Sequence, residues 1–404
     1  MKLLRLPRSK VRLGEPLPWN VRDESTRLLL SRGHIVDSEE QLDALLNRGA
    51  FVDVEEARAV AHLADPAAQE RASLSALKRP ENLFSLWDHT TEEMHQLMAT
   101  LPATLPDTPP APNQITAFAG RLIDLVDQDV DMALYHMVRQ ESAHHYYYGY
   151  YHAIHTSVLC LLMARRLQWP SAKMLSLVHA ALTMNLSILQ LQGVMAEQDE
   201  PMRESQKTQI RAHPELAVQW LAGAGVTDGD WLTAIAQHHE HADGNGYPQG
   251  RTDPTDLAVA LRVADVFTSK ISPRKLRAAL PIQEAARQLF REDHGGPLSS
   301  AVIKEFGLYP PGEVVKLSSG EIGIVMRRTD SVKCPLVASI TDTQGHPTVH
   351  TVQRDTSQAP YTIVGPVADK TLVARMPPER IYGYQPIAAA SPPGAGTTLQ
   401  HRLA

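Results

Sequence analysis

Cysteine is scarce in this chain: 404 residues hold two, Cys160 and Cys334. Two thiols so far apart exclude a disulfide framework and a thiolate zinc site, and they suit a reducing, cytoplasmic setting. An excess of positive charge is also missing. The formal net charge is -6 and the pI near 6.3, so neither nucleic acid nor an acidic membrane surface is expected as a partner. Long apolar runs are short of membrane length. The longest, around "SVLCLLMARRL", is broken by Arg165 and Arg166, and no membrane span is expected. The opening "MKLLRLPRSKVRLGEPLPWN" has basic touches without the apolar core of a signal peptide. What the chain does have is histidine, 18 in all, many between His136 and His241.

The length suits two or three domains with a sizeable core. Residues 1–75 read as a small α/β unit. Two short strands flank a turn at Asp23–Ser25, and a helix follows with Ser38 as N-cap and Gly49 as its stop. Residues 76–114 hold a helix, "NLFSLWDHTTEEMHQLMATL", and a Pro-rich linker in which helix cannot continue. Residues 115–305 show apolar spacing of three and four almost throughout, as in "ITAFAGRLIDLVDQ" and "MLSLVHAALTMNLSIL", and read as a helical bundle. From 306 to 385 the texture changes to short alternating runs split by turns, a small β-rich unit. Residues 386–404 read as a disordered tail. The fold class expected is therefore mainly α, an all-helical bundle between a small N-terminal α/β unit and a small C-terminal β unit.

Metal ligands in a bundle come from several helices pointing inward. His155, His213, His238, His239 and Asp265 suit this role. His155 opens "HTSVLCLLMARRL", His213 precedes a proline at an expected helix start, and His238 and His239 close "DWLTAIAQHH". Asp265 lies on the apolar helix "ALRVADVF", where a carboxylate is costly unless paired or metal-bound.

The stretch "HHEHADGNGYPQG" resembles the signature of the HD-GYP family, His-His-Glu-x-x-Asp-Gly-x-Gly-Tyr-Pro-x-Gly, at every fixed position. The order of the other motifs is similar as well: an early His155, the pair His213-Pro214, the signature, then Asp265 in "VADVF". The resemblance covers about residues 115 to 305. It implies an HD-type all-helical bundle, a site of two or three metal ions and hydrolysis of the messenger cyclic di-GMP.

One motif of that family is missing. Its His-Asp-x-x-Lys aligns with "AALTMNLSILQL", which places Met184, Asn185 and Ile188 at the His, Asp and Lys positions. Tyr151 stands where some members carry a Glu, and Thr268 where they carry a further Asp. The absent Asp bridges two metals in the family. Two dications about 3.5–4 Å apart repel by on the order of 17 kcal/mol at an effective dielectric of about 20. Neutral Asn185 cannot offset that, and the Met184 thioether is a poor ligand for hard ions. A binuclear centre is not expected. A single ion, Fe, Zn, Mn or Ni, on His213, His238 and His239 is the expectation that survives.

The signature loop carries a second expectation. Asp243, Gly244, Gly246, Tyr247 and Pro248 form a ligand or partner loop. In the family that motif is implicated in contacts with diguanylate cyclase domains, so cyclases or other signalling proteins are the partners implied, with cyclic di-GMP as ligand. The aromatic run from His144 to His155 adds stacking surface. Two readings follow: a catalytically inactive binding or scaffold module in cyclic di-GMP signalling, or a metal-dependent phosphodiesterase with a remodelled site.

Overall fold

The computed structural model describes most of residues 3–53, together with 83–99, 112–140, 147–369, 371–374 and 376–382. The expected Pro-rich linker, the tail, residues 54–82 and the first part of the aromatic run lie outside the described residues. The chain divides into two compact units, Met1–Asn82 and Leu83–Ala404.

In the first unit, strands β1 (Leu3–Arg5), β2 (Val21–Arg22), β3 (Leu28–Leu30) and β4 (Phe51–Asp53) form an antiparallel sheet in the order β1-β4-β2-β3. The Asp23 carboxylate shapes the β2–β3 turn by accepting from the Ser25 and Arg27 amides at 3.0 and 2.9 Å. Helix α1 (Glu39–Asn47) begins where Ser38 Oγ accepts from the Gln41 amide at 3.2 Å, and Gly49 follows it with a φ of 79°. Trp19, Val21, Leu42 and Val52 fill the small core.

The second unit is mainly helical. Its helices are α2 (Leu83–Ala99), α3 (Pro112–Gln128), α4 (Val130–Val138), α5 (Tyr148–Arg166), α6 (Ser171–Thr183), α7 (Leu189–Glu197), α8 (Glu204–Gly223), α9 (Gly229–Gln237), α10 (Asp256–Ile271), α11 (Ile282–Glu292) and α12 (Pro297–Phe306). Helix α5 is the axis of the body. It is buried along nearly its whole length and packs against α6, α10, α7, α12 and α2. A helix covered on every side carries no stripe, and its sequence reads as an apolar run for that reason. Helix α2, assigned from sequence to a connecting segment, joins this core through Phe84, Trp87, Met94 and Met98.

By length and composition, the stretch Ser171–Glu197 would cross a membrane. It is broken by the 3₁₀ turn Leu186–Ile188, and its most apolar window is largely buried inside the unit. Its apolarity is that of a core element.

Five strands close the unit: β5 (Val314–Leu317), β6 (Ile322–Arg327), β7 (Leu336–Thr341), β8 (Pro347–Asp355) and β9 (Ile363–Pro366), antiparallel in the order β8-β7-β6-β5-β9. Arg327 and Arg328 tie this sheet to α4 through Asp129 at 2.8 Å and Asp131 at 2.5 Å. The short helices α13 (Thr371–Ala374) and α14 (Pro378–Ile381) follow, and the Tyr382 hydroxyl donates to the Met326 carbonyl at 3.1 Å. The architecture is the one expected: a helical bundle with a small sheet-containing unit before and after it in sequence.

Candidate metal centre

Three imidazoles meet where α8 passes the end of α9. Ligand-capable atoms of His213, His238 and His239 all lie within 4.8 Å of one another, and the Nε2 atoms of His213 and His238 are 3.2 Å apart. Metal–nitrogen bonds of about 2.0–2.1 Å in a tetrahedron set their nitrogens ~3.3 Å apart, so this separation fits ligation of one ion.

Two of the rings, those of His213 and His238, are oriented from behind. The sequence suggests a helix start at Pro214, but α8 begins at Glu204 and Pro214 lies within it. A proline cannot donate to the carbonyl four residues earlier, here that of Ile210. His213 takes that carbonyl instead, with Nδ1 at 2.5 Å from it, which leaves Nε2 directed at the site. His238 repeats the device at the end of α9, where carbonyls run out of helical donors; its Nδ1 lies 2.7 Å from the Ile235 oxygen. These backbone bonds fix the tautomer that leaves Nε2 free, as a ligating histidine requires. Burial, with His238 adding to it, pushes the His213 pKa down to about 3, and burial lowers those of His238 and His239. All three rings are neutral near pH 7, with a lone pair to offer.

Asp265 stands beside this cluster on α10, and its charge acts on all three rings. Its partner is His152, whose Nε2 lies 2.7 Å from Oδ1. Burial works to raise the Asp265 carboxyl. The hydrogen bond and charge of His152, aided by His239 and His238, overcome this and hold it below the usual carboxylate range. Behind His152, Thr268 Oγ1 lies 3.4 Å from Nδ1 and 2.9 Å from Thr156 Oγ1.

His155 is not part of this group. Its ring packs near Tyr151 with centroids 6.2 Å apart, its Nδ1 has no partner among the described residues, and burial pushes its pKa to about 3. Three residues along a helix rotate a side chain by about 60° from its fellow, and that rotation separates His152 from His155. The sequence showed two histidines on one helix; only the direction in which α5 faces α10 selects His152.

Met184, Asn185 and Ile188 are buried at the junction of α6 and the 3₁₀ turn. Met184 caps α6 by donating its amide to the Ala180 carbonyl at 2.7 Å, and nearby Ser187 Oγ donates to the His213 carbonyl at 3.1 Å. His179 does not stand in for the missing ligand; its ring packs on Trp231 with centroids 4.6 Å apart.

The signature loop folds back onto its own histidines. The Glu240 carboxylate, buried, accepts from the amides of Gln249 at 2.7 Å and Arg251 at 2.9 Å, which pins the loop's far end. Glu240 is thus a residue of the site that chemistry-led reading passed over, although it stands in the signature itself. The Tyr247 amide donates to the His239 carbonyl at 3.1 Å, and the Tyr247 ring stacks on His239 at 4.5 Å. Gly246 allows this approach, since a Cβ there would meet Glu240 Cα, the His239 oxygen and the His241 nitrogen at 2.5 Å each. Gly244 has a φ of 75°, the Tyr247–Pro248 peptide is cis, and Asp243 Oδ1 accepts from the Asn245 amide at 2.9 Å.

This geometry agrees with what comparison finds. Residues 124–294 match the HD domain family. The chain is 26% identical over 220 residues to the cyclic di-GMP phosphodiesterase PA4108 of Pseudomonas aeruginosa, a match covering 53% of each chain. It is 28% identical over 138 residues to the 3'3'-cGAMP-specific phosphodiesterase 3 of Vibrio cholerae, covering 33% of this chain and 29% of that one. The matched stretches thus span about half, or less, of those relatives' own length. Among solved structures, Bd1817, an HDGYP protein from Bdellovibrio bacteriovorus, superposes with a TM-score of 0.43 at 15% identity, over 75% of this chain and 99% of that one.

Proposed function

We propose that this protein is a catalytically inactive HD-GYP module that holds a single divalent ion and serves as a binding or scaffold element in cyclic di-GMP signalling. The observation that carries the reading is the composition of the site. The positions aligned with the family's His-Asp pair are the buried Met184 and Asn185, and Asp265, the carboxylate whose charge acts on all three imidazoles, is engaged by His152. Without a bridging anion, two dications in contact distance are not held together. His213 and His238 would ligate the one ion through Nε2, together with His239, and Asp265 would supply charge beside them. A bound ion would act there as a Lewis acid toward an anionic oxygen. The loop from Asp243 to Pro248, braced by Glu240 and stacked through Tyr247 on His239, would present a surface whose shape depends on the occupied centre. Diguanylate cyclase-type or other signalling proteins are the partners this reading names, and cyclic di-GMP the ligand.

The test pairs two measurements on protein purified without chelator: elemental analysis, and hydrolysis of cyclic di-GMP with added manganese, magnesium or ferrous ions. One ion per chain with no turnover is the expected result. Turnover that His238→Ala abolishes would instead establish the second reading, a phosphodiesterase with a mononuclear site, which the fit of three imidazoles to one open-sided ion favours.

A further inference from the structure

A cavity of about 370 Å³ lies where α2, α4, the start of α5 and the chain around α14 come together. None of His213, His238, His239 or Asp265 lines it. Trp87, Tyr148, Ile154 and His155 form its buried floor, while the exposed Asp88 and half-buried Gln140 and Met376 stand at its mouth. Four of its lining residues carry a buried polar atom that has no hydrogen-bond partner among the described residues: Trp87 Nε1, His136 Nε2, Arg139 Nε and His155 Nδ1. Trp87 and His155 are only 3% and 4% exposed. Each such atom costs on the order of 1–3 kcal/mol. Eleven such side-chain atoms occur among the described residues, and four of them gather around this one cavity.

We propose that this cavity binds a purine nucleoside or mononucleotide, one base per chain. The walls set the shape of the ligand. Trp87 lies against His136 with ring centroids 5.2 Å apart and planes 26° from parallel, and Tyr135, Tyr148 and Tyr151 complete an aromatic lining that favours a flat heterocycle. The polar atoms set its chemistry. Indole and guanidinium N–H groups only donate, whereas a neutral imidazole nitrogen donates or accepts according to tautomer. Burial keeps both His136 and His155 neutral, with pKa values of about 3. A purine edge presents ring-nitrogen and carbonyl acceptors beside amino donors and so answers both kinds of group. An aliphatic ligand would answer none of them. A bare phosphate would meet one guanidinium, two uncharged rings and an aromatic wall. The volume falls at the low end of small-ligand clefts, about 300–1000 Å³, which suits a single base with its sugar.

The cavity and the metal centre share a wall without sharing a residue of the triad. Tyr148 lines the cavity, and its ring stacks on His152, the partner of Asp265, with centroids 5.5 Å apart. The proposal therefore stands whether or not a metal binds. Isothermal titration of the full chain with guanosine, adenosine and uridine monophosphates and with inorganic phosphate tests it. Both purine mononucleotides should bind, uridine monophosphate more weakly, and phosphate not measurably. Trp87→Phe keeps an aromatic ring and removes the donor, and Arg139→Gln removes the charge; each should weaken purine binding about tenfold, while His213→Ala should leave it unchanged. Folding of every variant is checked by its thermal transition. Absence of purine binding to the native protein overturns the proposal. So does phosphate binding as tight as that of the nucleotides, which would make this an anion site, or loss of binding in His213→Ala, which would move the nucleotide to the metal centre.

Discussion

The imidazole of His152 holds the carboxylate of Asp265 at 2.7 Å, so the acid that borders the histidine triad is committed to an internal pair. This relation separates two roles that the sequence allowed Asp265 to combine. A carboxylate already hydrogen-bonded within the fold is a neighbour of the metal site before it is a ligand. His213→Ala should abolish metal binding measured by titration, and Asp265→Asn should lower affinity much less. Equal losses from both substitutions would show that Asp265 leaves His152 to ligate the ion.

Pro214 sets the direction of His213 by vacating the Ile210 carbonyl, and that makes an unusual prediction. Pro214→Ala lets residue 214 compete for the same oxygen, which His213 Nδ1 now holds at 2.5 Å. The helix gains a bond and loses an internal proline, so thermal stability should hold or rise. Metal affinity should fall about 10–100-fold, the usual effect of removing an orienting partner behind a ligating histidine. Unchanged affinity would mean that packing alone points the ring.

Acid should destabilise the metal-free protein in a defined window. His136, His155 and His213 have folded-state pKa values of about 3 because burial penalises their charged forms. The unfolded chain takes up those protons near pH 6.5, where the folded chain does not. Stability is therefore full above about pH 6.5, falls as pH drops below it, and stops falling near pH 3, at up to about 1.4 kcal/mol per pH unit for each histidine. Urea midpoints measured from about pH 7.5 to about pH 4 read this directly. His136→Gln with His155→Gln should flatten the slope, and an undiminished slope in that variant would place the titration elsewhere.

Restoring the lost motif should not restore chemistry. Met184, Asn185 and Ile188 are buried in the packed junction between α6 and the 3₁₀ turn. Putting His, Asp and Lys there together places two charges and an imidazole into space shaped for apolar groups, at a cost of several kcal/mol. The triple variant Met184→His, Asn185→Asp, Ile188→Lys should melt lower and still fail to hydrolyse cyclic di-GMP in a chromatographic assay. Recovered turnover would show that these three positions alone had silenced the site.

The signature loop gives a graded pair. Gly246→Ala drives a Cβ into backbone atoms at 2.5 Å, so the loop must move; about 1–3 kcal/mol is expected, a fall in Tm of several degrees. Gly244→Ala meets the Thr252 Cγ2 methyl at 3.3 Å and the Gly250 oxygen at an ordinary 3.7 Å, with the strain of its positive φ, and should cost about 1 kcal/mol. Equal losses would mean that the loop yields to the added methyl and that close approach at Gly246 is not what holds it.

Much of this protein was legible in its sequence, because local signals act over a few residues. Apolar spacing marked the helices, the capping role of Ser38 and the stop at Gly49 were written in residue type, and the signature from His238 to Gly250 announced its own loop. Periodicity cannot tell a core helix from a connecting one, and so α2 joined the main core unannounced. A proline within α8 was taken for a helix start, since only the folded helix shows that the vacated carbonyl has found His213 as a partner. The choice between His152 and His155 was out of reach for a related reason. Both lie on α5, and about 60° of rotation decides which one faces Asp265, 113 residues away in the chain. Sequence determined which residue types could gather; the direction in which one buried helix faces another decided which of them met.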